Sequence, residues 1–501
     1  MYIRVSVIAI LMLCVPFGHV RAQDSFEEFR KRNEASFNQF RNKVNSDYQA
    51  FRKKVNEEYA AFVERAWKEY RSMAGKPVPE DNVRPVPPVV CPKEDEGKPQ
   101  PKPEPLPYDE VVTPPQPKPQ PQPVAPLEPV RPVVRTLDFT FFGTRETVRF
   151  DKQRRVTLGG ADERSIAAAW REMAASDDYA MLVNECLRIR DERGLCDWAY
   201  LKMLQTLGLA VYGTECNDAR LLTAFVYCQS GYKMRLARTG GNELHMLIAS
   251  EHEIYDVMYF NLDGCRFYAL DCNAEELSVC AVEFPNETAM SLYLPTPNKF
   301  AVDVDGTCTR QSKRYPEVKT TLAVNVNLMK FYDTYPTSTI NDNVMTRWAM
   351  YANTPMATDV SRQLYPPLRE AIKGCSQLTA VNKLLNYVQT GFEYEYDDKV
   401  WGHDRAFFAE ESLYYPYCDC EDRSILFTRL VRDLLGLRCI LIYYPGHLAA
   451  AVEFTESGVS GDWIKTGGHT FTVTDPTFIG APVGRTMTGM SNQTAKVIIL
   501  E

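Results

Sequence analysis

The chain has 501 residues, 45% of them hydrophobic and 24% charged, with a formal net charge of −8. That length exceeds one ordinary domain and predicts two folded domains with additional segments. The acidic balance, without any basic stripe, excludes nucleic acid as a partner.

Residues 1–22 have the pattern of an export signal. Arg4 supplies a positive start, Val5 to Val15 an apolar run, and Val20-Arg21-Ala22 a small-residue cleavage site. The apolar run is too short to span a bilayer, which takes about 20 residues. The expected location is therefore exported, in a periplasm or outside the cell. Removing the signal leaves thirteen of the 14 cysteines, an odd number with no CxxC spacing, so neither a disulfide framework nor a zinc site is predicted.

Residues 25–75 repeat with a period of 11: Phe26, Phe37, Tyr48, Tyr59 and Tyr70, with Phe29, Phe40, Phe51 and Phe62 three positions later. That period predicts a long α-helical coiled coil of right-handed supercoil, about 70 Å long at 1.5 Å per residue. Self-association into a homo-oligomer is the expected use of its apolar stripe. From 76 to 133 the chain is a proline-rich linker, as in Lys98-Pro99-Gln100-Pro101 and Gln116-Pro117-Lys118-Pro119. It predicts an extended spacer, free of sheet pairing, that holds the rod away from the globular part. Rod or spacer could engage a cell-envelope partner.

Ordered sequence resumes near Val134. Thr136–Phe150 alternates as a hairpin, and helices are predicted at Ala161–Ala175, Tyr179–Arg193 and Asp197–Leu207. Short apolar runs in 285–345, such as Leu322–Val326, predict strands. Helices resume over Leu364–Val388, and Lys496–Leu500 predicts a last strand.

Two stretches share one pattern. Each has a cysteine opening an apolar helix, a glycine closing it, a strand, a histidine, and an aspartate at the end of a later strand. In one, Cys216, His245 and Asp271 lie 29 and 26 residues apart; in the other, Cys420, His447 and Asp475 lie 27 and 28 apart. A thiol nucleophile needs a base, and the base needs a third group that fixes its tautomer. The spacing predicts a tandem duplication, with Cys420, His447 and Asp475 as catalytic residues and Cys216, His245 and Asp271 as a second set. His252, His403 and His469 are not expected to be catalytic. Trp401, Phe407 and Phe408 are expected either to line the cleft or to pack the core.

The pattern resembles the transglutaminase-like superfamily in its bacterial thiol-hydrolase form, through Asp419-Cys420-Glu421-Asp422, Gly446-His447 and Asp475-Pro476-Thr477. The first copy departs from it at Glu215 and at Cys272, where proline and threonine would follow the aspartate. The resemblance implies papain-like α+β domains: a first transglutaminase-like domain over 134–320, degenerate at its site, and a second over 321–501. It implies a cysteine peptidase or acyltransferase acting on a protein or peptide substrate, through a thioester at Cys420, with no metal or organic cofactor. The alternative is a non-catalytic cell-envelope scaffold. Tyr415 and Tyr417 are candidate oxyanion donors beside the Cys420 backbone N–H. Cys418 is close enough in sequence to threaten the nucleophile with a disulfide.

Overall fold

Two six-stranded sheets organise the chain. The computed structural model describes residues 51–77, 85–93, 105–123 and 135–501, apart from Gly241 and Ser491, together with scattered helical positions between 39 and 50. The expected export signal and most of the 11-residue repeat lie outside the described residues. The chain divides into a unit of residues 1–54 and a unit of residues 55–501; the second is the subject below.

In spatial order the first sheet runs Trp67–Arg71, Glu276–Cys280, Met234–Arg238, Leu244–Ala249, Cys265–Ala269, Tyr259–Leu262. The second runs Glu110–Val112, Lys496–Ile499, Cys439–Tyr444, His447–Val452, His469–Thr474, Trp463–Thr466. The four strands at the right of each list correspond in order, and against each sheet packs one helix, Asn217–Gln229 or Cys420–Leu435. A step of 204 residues relates much of the two halves: Cys216 to Cys420, Tyr259 to Trp463, Asp271 to Asp475. Strand register obeys the same step from the second hairpin strand on, since Tyr259 pairs with Tyr268 as Trp463 pairs with Thr472, and Leu247 pairs with Ala269 as Ala451 pairs with Val473; the strand before is offset by one, Leu236 pairing with Met246 as Leu441 pairs with Ala450.

Side-chain alternation along the strands divides the core. Leu448, Ala450 and Val452 join the large cluster under the Cys420 helix, whereas Ala449 and Ala451 lie in a second cluster on the opposite face. In the first half Leu244, Met246 and Ile248 face the Cys216 helix side, and Leu247 and Ala249 face away.

The fold corrects the expected long coiled coil. Residues 51–63 are helical, and within the second unit Val55, Tyr59, Ala60 and Val63 are buried while Phe62 of the repeat is exposed. Asn56 bonds Trp170 and Gln229, and Tyr59 packs on Trp170 and Phe284. Trp67–Arg71, still inside the repeat, is an edge strand paired with Glu276–Cys280. Burial at i, i+4 and i+8 against a core overrides an 11-residue stripe that would need a second helix.

The proline-rich segment is likewise no free spacer where it is described. Val86 donates to the Gly446 carbonyl at 2.9 Å, Val89 and Cys91 pair with Ile479, and Leu106 donates to Trp463 at 2.7 Å. The proline-free run Tyr108–Thr113 contributes Glu110–Val112 as an edge strand parallel to Lys496–Ile499. Gln120 then bonds Leu195 and Asp197, and the Pro121 carbonyl accepts from Arg190. Proline is compatible with sheet edges, where one side of the strand needs no donor.

Two smaller corrections follow from caps and turns. In 285–345 the described strands are Cys308–Gln311, Lys319–Leu322 and Ser338–Thr339. Asn325 ends the apolar run by capping a helix, Val326–Tyr332, its side chain accepting from the Asn327 N–H. The Leu364–Val388 stretch is two helices, Thr358–Ile372 and Gln377–Gly391, parted at Gly374, whose φ of 72° suits glycine.

Candidate active site

Cys420 is the first residue of its helix. Asp419 caps it by accepting from the Glu421 N–H, and the Asp422 carboxylate accepts from the Asp419 N–H in return. Ser424, one turn on, donates to the Leu448 carbonyl at 2.8 Å and fastens the helix to the histidine strand. The Leu448 N–H points at the Cys420 thiol.

His447 follows the two-residue turn Pro445-Gly446, where Gly446 takes φ 77°. Proline then glycine are the residues that a type II turn requires, so the sequence itself sets the histidine at the strand's entry. Its Nε2 lies 2.9 Å from Asp475 Oδ2. Asp475 Oδ1 accepts from the Thr477 and Phe478 N–H groups at 2.8 and 3.1 Å, so the carboxylate is held at both oxygens. His447 Nδ1 is buried and makes no hydrogen bond. Tyr444 stacks on the imidazole at 6.2 Å.

Cys420 and His447 line one cavity of about 550 Å³, with Trp348, Arg347, Tyr443, Asp397, His403, Asp404, Glu421 and Pro85 among its other walls. Acids crowd it. Glu421 Oε2 lies 3.8 Å from the thiol. Burial, then Asp419 and Glu421, push the Cys420 thiol well above its usual range. Burial, then Asp404, raise Glu421 to about 8, and burial raises Asp397 to about 7. Arg347 answers part of this charge, 2.5 Å from Asp404 and 3.8 Å from Glu421. Asp397, Asp404 and Glu421 could together face a cation, but Arg347 already occupies that role.

Sequence reasoning missed Arg347, Trp348 and Gln389. The Trp348 indole nitrogen is buried and faces the Glu421 carboxyl, and the ring stacks on Tyr443 at 5.4 Å. Gln389 donates to the carbonyls of Asp475, Phe478 and Ala481 and fixes the turn that carries the aspartate. Nothing local marks these residues; they come from helices 31 to 73 positions before Cys420. Tyr415 and Tyr417 are not oxyanion donors: neither lines the cavity, Tyr415 bonds Asp333, and Tyr417 is exposed. Phe407 and Phe408 are core residues. Cys418 is a free thiol 3.8 Å from the Glu393 carbonyl, not bridged to Cys420.

The second set does not assemble as expected. At the 204-residue step, Cys216 and Asp271 match Cys420 and Asp475, but Glu243 stands at the position of His447. His245 lies one β period further along, on the same strand face as the Glu243 position, with Leu247 and Ala249. There it meets Asp271 and Cys272, while the Cys216 thiol rests 3.9 Å from Asp218. Burial alone would lower the His245 imidazole, but Asp271 and Cys272 raise it to about 9.

Comparison with family models, with curated proteins and with solved structures finds no match.

Proposed function

We propose that the chain is an exported, cysteine-dependent acyl-transfer enzyme of transglutaminase-like type, hydrolysing peptide or isopeptide amide bonds in a protein or peptide substrate. The observation that carries this is His447: one ring nitrogen is held by Asp475, and the other is buried, unbonded, at a cavity that Cys420 shares. With Nε2–H committed to the carboxylate, Nδ1 is the basic nitrogen.

Cys420 sulfur attacks the amide carbonyl as its proton passes to Nδ1. The oxyanion takes the Cys420 N–H at the positive end of the helix. His447 then protonates the leaving amine, and water, deprotonated by His447, releases the acid from the thioester. The raised thiol means that sulfur and nitrogen exchange the proton during attack and hold no resting ion pair.

p-Nitrophenyl acetate, a small activated acyl donor, tests the reading. Nitrophenol release with an acetyl group mapped to Cys420, absent in Cys420→Ala and slowed in His447→Ala, is the expected result. Acetylation no faster at Cys420 than at other cysteines would favour the non-catalytic scaffold instead.

A further inference from the structure

The first half keeps a thiol, an imidazole and a carboxylate together, its histidine two residues along the strand from the position that His447 holds in the second half. Leu247 pairs with Ala269, so two residues along the same ladder His245 faces Asp271, and Cys272 comes next in the turn. The ligand atoms of His245, Asp271 and Cys272 all lie within 4.8 Å of one another. We propose that these three residues bind a divalent transition metal, of which zinc is the best fit.

The histidine is the strongest argument. Its side chain is only 2% exposed, and its ring nitrogens have Asp271 and Cys272 as polar neighbours but no partner in full hydrogen-bonding geometry. Buried polar groups are seldom left so. Nδ1 lies 3.2 Å from Asp271 Oδ2 without hydrogen-bonding geometry. Two ligands on a tetrahedral zinc, at bonds of about 2.0–2.1 Å, sit about 3.3 Å apart. The matching acid of the other half instead makes a 2.9 Å hydrogen bond to its histidine.

The donors select the ion. Thiolate with imidazole and carboxylate suits zinc or cobalt, whereas calcium and magnesium take oxygen ligands. Three protein ligands leave a fourth position open, and the Asp271 side chain is 29% exposed, so the site has an entry from solvent. Binding replaces the Cys272 S–H and one His245 N–H by bonds to the metal and releases both protons to water. Thiolate and carboxylate then neutralise the two charges of the ion. Arg220, 3.5 Å from Asp271 Oδ2 and 2.6 Å from Glu243, orients the carboxylate. Glu243 lies 4.0 Å from His245 Nε2, on the side away from the metal, where one water can bridge them.

Cobalt(II) added to the full chain, stripped beforehand with a chelator, tests this. The expected result is one equivalent bound with tetrahedral ligand-field bands and a thiolate-to-cobalt charge-transfer band, all displaced by zinc. Cys272→Ser, at a partly exposed position, should lose the charge-transfer band with unchanged circular dichroism, and Asp271→Asn should weaken binding at least tenfold. Cys420→Ser should keep the band in full. No band in the wild-type chain, or a band that survives Cys272→Ser, would overturn the proposal. Acylation of Cys420 is read separately, so failure here leaves the acyl-transfer reading to its own test.

Discussion

Whether Cys420 works depends on the acids beside it. A thiol held high by burial and by Asp419 and Glu421 is mostly protonated near neutrality. Its alkylation by iodoacetamide should therefore rise about tenfold per pH unit between about pH 7 and 9; a resting thiolate–imidazolium pair would give a flat profile. Glu421→Gln removes the carboxyl 3.8 Å from the sulfur; because that carboxyl is raised to about 8, labelling should change little at pH 6 and be about 3–10-fold faster at pH 9. The same residue sets a stability trend. Its carboxyl is raised to about 8 in the fold, so the native state favours the protonated form. Stability is full below the ordinary carboxylate range and is lost as pH climbs through about 8. The melting temperature should fall from pH 5 to pH 9, and less steeply in Glu421→Gln, as followed by thermal unfolding across buffers.

At the scale of elements, the proline-rich strap turns from spacer into wall. Pro85 borders the cavity and the Val86 N–H holds the strap to Gly446, the residue before the candidate base. Val86→Pro deletes that donor. Expected effects are a several-fold faster alkylation of Cys420 and a loss of about 1 kcal/mol in denaturant unfolding. Leu106 is 8% exposed; Leu106→Ala should cost about 2–3 kcal/mol, where a free stalk would lose nothing. Elements whose cause is local were legible in the sequence. The hairpin Leu137–Val148, the helices from Glu163 to Tyr212, the Asp419 cap and the Pro445-Gly446 turn are written in adjacent residues. What pairing and burial decide was not. The sequence carries an 11-residue stripe, but the helix buries the face that Trp170 and Phe284 offer it. Cys216 and His245 have the right spacing, yet a two-residue displacement along a strand leads to a different set of neighbours.

At the scale of the molecule, two copies of one fold joined only by the chain would unfold independently, but the joint between them argues otherwise. The short helix Val326–Tyr332 lies at their boundary. Its Phe331 packs on Phe142 and Phe300, which belong to the first half. Its neighbour Tyr332 stacks on Phe408 of the second half at 4.2 Å. Trp198 reaches across to Thr334, and one hydrophobic cluster contains the helices of both halves. The strap adds a second crossing, from Lys496–Ile499 to Leu195. With so much apolar surface shared, opening one half would expose the other's core, at about 25 cal/mol per Å². Calorimetry should therefore show one transition for residues 55–501, with equal calorimetric and van't Hoff enthalpies. Phe331→Ala, which removes a fully buried ring, should lower that single midpoint by the equivalent of about 3–5 kcal/mol. Burial of Cys420, read by its alkylation, and burial of Trp170, read by fluorescence, should be lost together in both proteins. Two resolved transitions in the wild-type chain would mean that the halves are beads on a string, and that the strap and the Val326–Tyr332 helix carry none of the coupling assigned to them.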